Sequence, residues 1–345
     1  MRVALASPVS ISHYAGCEKW VVGVANALAS MGHKVDVYAT PYTPKRNADP
    51  RSVLRGDVGY FEGWALELSD DYDVVYVVYT PVVWRVFRSS SPKVAGMHYY
   101  LCVPTELEEA VLRNVPVALR YYDPISVLTY WAFRAFGQRD LRRFDAVHVP
   151  NNPYRLPLRH WRVLFVPNWV DLGLYRPTRE KADEFTVLFV GRHCWDKGWL
   201  DYCAICRGLR RAGLPIRCLS TGEGSWPVEG LGFVSDEELV DAYSSSHALV
   251  YPSRSDTFGL VILEALACNT PVVTTSIEPH RALGLPLIYA DSPREFVREV
   301  VRLYRMWEEG TYWELVEGLR DSVTRYDVRR VMPMIEDMLE SVADC

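Results

Sequence analysis

The sequence predicts an α/β protein of two successive domains, each a parallel, Rossmann-like sheet wrapped in helices. Three observations lead there: short apolar runs alternate with stretches of helical period, the alternation breaks once, and it then starts afresh. The first run, "RVALAS", ends at "PVSISHYAGC". Beyond it Val21, Val24, Ala25, Leu28 and Ala29 recur at helical spacing until Gly32, and "KVDVYAT" follows as a second strand. Strand, helix and strand within about forty residues make a βαβ unit. Further buried strands read from "YDVVYVVYT", "PKVAGMHYY" and "FDAVHVP", with "VLFVPN" closing the first sheet. "WVDLGLYRPTREKADEF" carries Pro, Gly and charges without a period and is the expected linker. The domains are accordingly set at residues 1–172 and 173–345, the last helix being free to pack back on the first domain.

The second half repeats the pattern. "TVLFVGR" is a strand, "WLDYCAICRGLRRAG" a helix and "PIRCLSTGEG" a strand and turn. "SDEELVDAYSSS" opens with a capping-box pattern. "HALVYPS", "FGLVILEALAC" and "PVVTTS" then read as strand, helix and strand, and acidic amphipathic helices follow from Pro293.

Composition excludes several classes. With 345 residues there is material for two ordinary domains, and 49% hydrophobic with 23% charged residues is usual for a soluble globular chain. A net charge of -5 and a pI near 5.9 speak against a nucleic-acid partner. No apolar run reaches the roughly 20 residues that cross a bilayer. The start, "MRVALASPVS", lacks a signal-peptide core, so the expected location is the cytoplasm. Cys203 and Cys206 form a C-x-x-C with no second pair at zinc spacing. They read as two small hydrophobes one helical turn apart rather than as a metal or redox pair.

Ligands of open parallel sheets bind beyond the carboxyl ends of the strands, so the residues there are the candidates. Gly16 lies at the mouth of a helix, where bare amides can approach an anion. His98 follows "KVAGM". Arg192 and Lys197 follow "TVLFV" and lead into a helix, one strand–helix unit before a second helix mouth at Phe258-Gly259. A guanidinium fork, an ammonium and helix amides suit a diphosphate; each cation taken singly reads as a solvated charge. Glu264 interrupts an apolar helix and should be buried, where a carboxylate must find donors. Either it pairs with a basic side chain of its own domain, or it accepts the two hydroxyl protons of a ribose. Asp256 precedes that helix and reads as an N-cap or as a hydrogen-bond partner of a sugar hydroxyl.

These residues resemble family 4 of the retaining glycosyltransferases, which have the GT-B fold of two facing Rossmann-like domains with an interdomain cleft. The motifs are "AGCEKWVVGVANALASMGHKVDVYAT", "VPNWVD", "VGRHCWDKGW" and "SRSDTFGLVILEALACNTPVV". The resemblance implies an acceptor-binding first domain and a donor-binding second one. It implies catalytic roles for His98, Arg192, Lys197 and Asp256, and substrate contacts at Gly16, Thr257, Phe258, Gly259, Leu260 and Glu264. His98 then contacts the transferred sugar or its phosphate; the alternative is a satisfied strand-end histidine. No metal or other cofactor is implied, the nucleotide-diphosphate sugar being a co-substrate whose base is read by backbone near residues 230–235. The family's mechanism is attack on the face from which the diphosphate leaves. The Asp-x-Asp of "SDDYDVV", a metal-binding pattern elsewhere, precedes a strand and reads as a turn end.

Departures are visible. Asp256 stands where Glu is usual, Ala15-Gly16 where Gly-Gly is common, Trp169 where Gly is usual, and "IEPHRALG" lacks the familiar glycines. The implied reaction moves a hexose to a glycan, lipid-linked or small-molecule hydroxyl. A nucleotide-sugar epimerase or a non-catalytic nucleotide-sugar-binding protein would share the same contacts. A dinucleotide dehydrogenase would need G-x-G-x-x-G in a first turn, and neither turn has it. Residues 113–143 hold six arginines, two aspartates and six aromatic rings. Such a helix either rests peripherally on the inner, anionic face of a membrane or buries its rings in the first domain.

Overall fold

The computed structural model describes residues 1–14, 16–98, 106–122, 124–151 and 160–344. The chain divides into two compact units: Met1–Val103, Pro124–Pro167 and Arg329–Cys345 form one, and Pro104–Asp123 with Asn168–Val328 the other. Against the expected division at residue 172 this differs in two places, each with a local cause, and the last helix takes the course the sequence leaves open to it. The rings of Tyr121 and Tyr122 lie 4.8 and 5.8 Å from that of Trp195, drawing their helix, Val115–Tyr121, to the second unit. The stretch expected as a linker is held to the second unit by Arg320, which donates to the carbonyls of Leu172 and Tyr175. The last helix joins the first unit through Glu336 on His33 and through Arg162 on the Ser341 carbonyl.

In the first unit seven strands form one parallel sheet. They are β1 (Arg2–Ser7), β2 (Lys34–Ala39), β3 (Gly59–Glu62), β4 (Val74–Val78), β5 (Lys93–Gly96), β6 (Ala146–Val149) and β7 (Val163–Phe165), in the order β3-β2-β1-β4-β5-β6-β7. Alternate residues Ala4, Ala6, Val75, Val77, Ala95, Val147 and Val149 meet in one buried cluster, as a period of two requires. Helix α1 (Gly16–Ser30) buries Trp20, Val21, Val24, Ala25 and Leu28. It stops at Gly32, whose φ of 95° closes a left-handed C-terminal turn with His33 bonded to the Leu28 carbonyl. Strand β3 gave little sequence signal, because "GYFE" is short and half of it faces solvent. Of the acids of "SDDYDVV", Asp73 receives the Arg2 amide, Asp71 the Arg2 guanidinium and Asp70 the Ser90 amide.

The second unit repeats the winding with β8 (Thr186–Phe189), β9 (Arg217–Ser220), β10 (Glu229–Gly230), β11 (Ala248–Tyr251), β12 (Val272–Thr274) and β13 (Ile288–Tyr289). Its order, β10-β9-β8-β11-β12-β13, is again all parallel. Leu188, Leu249, Tyr251 and Val272 point into the layer that holds α5 (Leu260–Ala267). Val187, Phe189, Val250 and Val273 point to the opposite layer, with α3 (Trp199–Arg211) and α6 (Pro293–Glu309); the helix Pro124–Ala132 of the first unit is α2. Cys203 and Cys206 are buried in that second layer as free thiols. Helix α4 (Asp236–Ser245) carries its capping box, Ser235 on the Glu238 amide and Glu238 on the Ser235 amide. In each sheet the winding reverses between the first strand and the fourth, at β1/β4 and at β8/β11. The loops leaving β8 and β11 therefore meet at a switch point.

Candidate active site

At the second switch point two loops are laced together by main chain. The Asp196 carbonyl receives the amides of Arg254, at 2.8 Å, and of Ser255, at 3.2 Å. Gly198 begins α3 with φ of 75°, and a Cβ there would lie 1.9 Å from the Pro252 carbonyl oxygen. Only glycine allows that approach. The lacing brings Lys197, from the first loop, to Asp256, from the second: the ammonium is 3.4 Å from Oδ2 and donates to the Ser255 carbonyl at 3.0 Å.

Both charges are largely buried, Lys197 being 16% and Asp256 12% exposed. Burial by itself drives the Lys197 ammonium toward neutrality, but the Asp256 charge, with Tyr251 and Asp196 behind it, holds it above the ordinary lysine range. Burial likewise raises the Asp256 carboxyl, and Lys197, His280 and the Tyr251 hydroxyl together bring it well below the ordinary carboxylate range. Tyr251 donates to Oδ2 at 2.7 Å. The Phe258 amide reaches Oδ1 only at 3.4 Å, a weak capping contact, so the ion pair rather than the cap fixes Asp256. Arg192 behaves differently. Its side chain is 60% exposed and donates to the almost buried Asp196 at 3.1 Å.

Helix α5 starts at Gly259, in a left-handed conformation with φ of 94° and without a side-chain cap. Phe258 packs inward, edge-on to Tyr326, so only its amide is available to a ligand. Thr257 and Leu260 are half-buried at the same mouth. One helical turn further on, Glu264 is half-buried rather than buried, and the Tyr243 hydroxyl donates to it at 2.8 Å. Burial and then the Glu264 charge raise the phenols of Tyr243 and Tyr175, so these rings stay protonated beside it.

The structure thus joins Lys197 to Asp256 and sets both beside Thr257, Phe258, Gly259 and Leu260. Gly16 and His98 belong to the first unit. Gly16 is exposed at the first residue of α1, and a Cβ there would meet nothing within 4 Å. His98 is half-buried beyond β5; its Nε2 lies 2.7 Å from the Tyr76 hydroxyl, and the Trp20 ring is 4.2 Å away. Tyr76 in turn lies 2.6 Å from His148 Nδ1.

Sequence reasoning missed Asp196, Ser255, Tyr251 and His280. The Ser255 hydroxyl and His280 Nε2 are buried without a hydrogen-bond partner among the described residues, and the latter stands 3.7 Å from Asp256 Oδ2. The available signal was positional: all four follow strands of the second sheet or end one.

Burial pushes His148 down to about 4 from an ordinary 6.5, and it lowers His98 as well, with the nearby His148 adding to the effect. Between those pH values the unfolded chain binds a proton that folded His148 refuses. Stability is then complete above about pH 6.5 and is lost toward pH 4, on the order of 3 kcal/mol from this group. Urea midpoints at pH 7 and pH 4.5 should show that fall, and an unchanged midpoint would mean that His148 is not held neutral.

The comparisons with known proteins follow this geometry. HepE of Anabaena, solved in complex with UDP and glucose, superposes with a TM-score of 0.71 at 15% identity, over 99% of this chain and 100% of that one. The fold is GT-B. Residues 184–306, within the second unit, match the family described as glycosyl transferases group 1. The D-inositol 3-phosphate glycosyltransferase of Segniliparus rotundus is 32% identical over 36% of this chain and 33% of its own length. The chain therefore spans about a third of that relative. A phosphatidylinositol N-acetylglucosaminyltransferase subunit of Arabidopsis thaliana is 21% identical over 84% of this chain and 70% of that one.

Proposed function

We propose that the protein transfers a hexose from a nucleotide-diphosphate sugar to a hydroxyl acceptor with retention of anomeric configuration. The observation that carries this is the buried ammonium of Lys197, kept charged by Asp256 beside the uncapped start of α5. As the anomeric C–O bond breaks, negative charge gathers on the departing diphosphate. Lys197, Arg192 and the amides of Phe258, Gly259 and Leu260 stabilise it there. Positive charge develops on the sugar, and the acceptor oxygen attacks from the side of the leaving group, passing its proton to the diphosphate. Asp256 orients a sugar hydroxyl while holding Lys197, and Glu264 takes the ribose diol. Gly16 and His98 take the substrate contacts that the resemblance implies, and the main chain of residues 230–235 takes the base.

A thermal-shift panel tests the donor. A nucleotide-diphosphate sugar at about a hundred times its Kd should stabilise the fold by about 2.7 kcal/mol, whereas the free sugar should not. Arg192→Ala should weaken that response about tenfold in Kd, as loss of one charge-assisted contact does. No response to any uridine, guanosine or adenosine diphosphate sugar would remove the donor assignment.

On the acceptor side, residues 113–143 are not one helix. Tyr122 is extended, with φ of -124° and ψ of 150°, and it parts the Val115–Tyr121 helix from α2. The rings also divide: Tyr130 and Phe133 are buried, while Trp131 and Phe136 are exposed with Ile125 and Leu128. In the first unit this leaves an apolar face beside exposed Arg139, Arg142 and Arg143. That pairing of apolar and cationic groups suits the surface of an anionic bilayer, and with it a lipid-linked acceptor. The described residues hold no helix long and apolar enough to cross a membrane. In liposome flotation the protein should rise with vesicles containing anionic lipid and stay down with neutral ones. Leu128→Asp, at a position 68% exposed, should abolish flotation without lowering the melting temperature; flotation unaffected by the substitution would count against this face.

A further inference from the structure

A row of hydrogen bonds joins His98, Tyr76 and His148 across three neighbouring strands. His148 on β6 is fully buried, and its Nε2 lies 2.8 Å from the Val166 carbonyl oxygen. A carbonyl oxygen can only accept, so this nitrogen carries the hydrogen, and in the neutral ring Nδ1 is left as the acceptor. The Tyr76 hydroxyl, 2.6 Å from that Nδ1, must donate to it. Its oxygen can then only accept from the third member, His98 Nε2, at 2.7 Å. Each proton in the row is placed by the one before it.

The packing is built around this row. Tyr76 is 1% exposed, and a Cβ added to Gly96 would lie 2.0 Å from its hydroxyl oxygen, so only glycine leaves room for the phenol. The Trp20 ring lies 4.2 Å from His98 and 5.0 Å from Tyr76, restraining both side chains.

We propose that Tyr76 and His148 are positioning residues that fix His98 as the tautomer protonated at Nε2. Nδ1 is then the accepting nitrogen of the ring. Any effect of this arrangement on catalysis rests on the transferase reading above. The placement of the proton does not.

The test is a nitrogen–proton correlation spectrum of the full-length protein labelled with ¹⁵N-histidine, recorded without donor, with His98→Gln assigning the ring. The wild-type protein should show His98 protonated at Nε2. Tyr76→Phe, which keeps the ring and removes the oxygen, should move both His98 nitrogen shifts toward a mixture of tautomers. It should also lower kcat/KM about tenfold, the effect of one misdirected hydrogen bond. A wild-type His98 protonated at Nδ1 overturns the proposal, as does a Tyr76→Phe spectrum with unmoved His98 shifts. Should the variant fail to fold, the wild-type spectrum decides alone. Since no donor is present, a protein inactive with every sugar would count against the transferase reading and leave this result intact.

Discussion

Lys197→Ala should lower turnover about a hundredfold and destabilise the protein at the same time. The kinetic loss is that of one cation on a leaving group, about 3 kcal/mol of transition-state stabilisation. The structural loss has a separate origin. Removing the ammonium leaves Asp256 12% exposed and without its nearest cation, and breaking such a pair from one side costs about 3–5 kcal/mol. The two losses separate in the double variant. Lys197→Ala with Asp256→Ala should recover much of the stability and none of the rate, because the orphaned charge is gone while the cation is still missing. Turnover within threefold of the parent in the single variant would take Lys197 out of the reaction.

The second large effect needs no ligand. Gly198→Ala should cost about 3 kcal/mol or more and lower the melting temperature by roughly 5–10 °C. The new methyl would sit 1.9 Å from the Pro252 carbonyl oxygen, at a φ of 75° that alanine already resists. Relief requires the loop after β11 to withdraw, and Lys197 and Asp256 ride on that same contact. Gly16→Ala is the control: with nothing within 4 Å of the added carbon, its melting temperature should stay within about one degree of the parent. A Gly198→Ala protein as stable as the parent would mean that the two loops are not held so close.

Much of the fold was legible because burial imposes a period. Strands covered on both faces, such as "YDVVYVVYT", are apolar throughout, and the capping box of "SDEE" announces its helix by local chemistry alone. That both sheets are parallel follows from the repeated strand–helix units. What stayed hidden depended on contacts remote in sequence. Nothing local says that Tyr121 will lie on Trp195, so the sequence gives no sign that the Val115–Tyr121 helix goes with the second unit. The same holds within the candidate site. Lys197 and Asp256 were found because each follows a strand, but their mutual ion pair needs the β8/β11 adjacency. Tyr76 and His148 read as ordinary strand residues, since only the register of β4, β5 and β6 lines them up with His98.

The carbonyl of Asp196 that ties the loop after β8 to the loop after β11 has an evolutionary and practical reach. Main-chain bonds do not depend on side-chain identity, so flanking residues are free to change while the spacing of the two loops persists. Those loops behave as one heritable cassette: a chimaera built by transplanting either alone would break the seam, and only the pair carries its geometry into a new host.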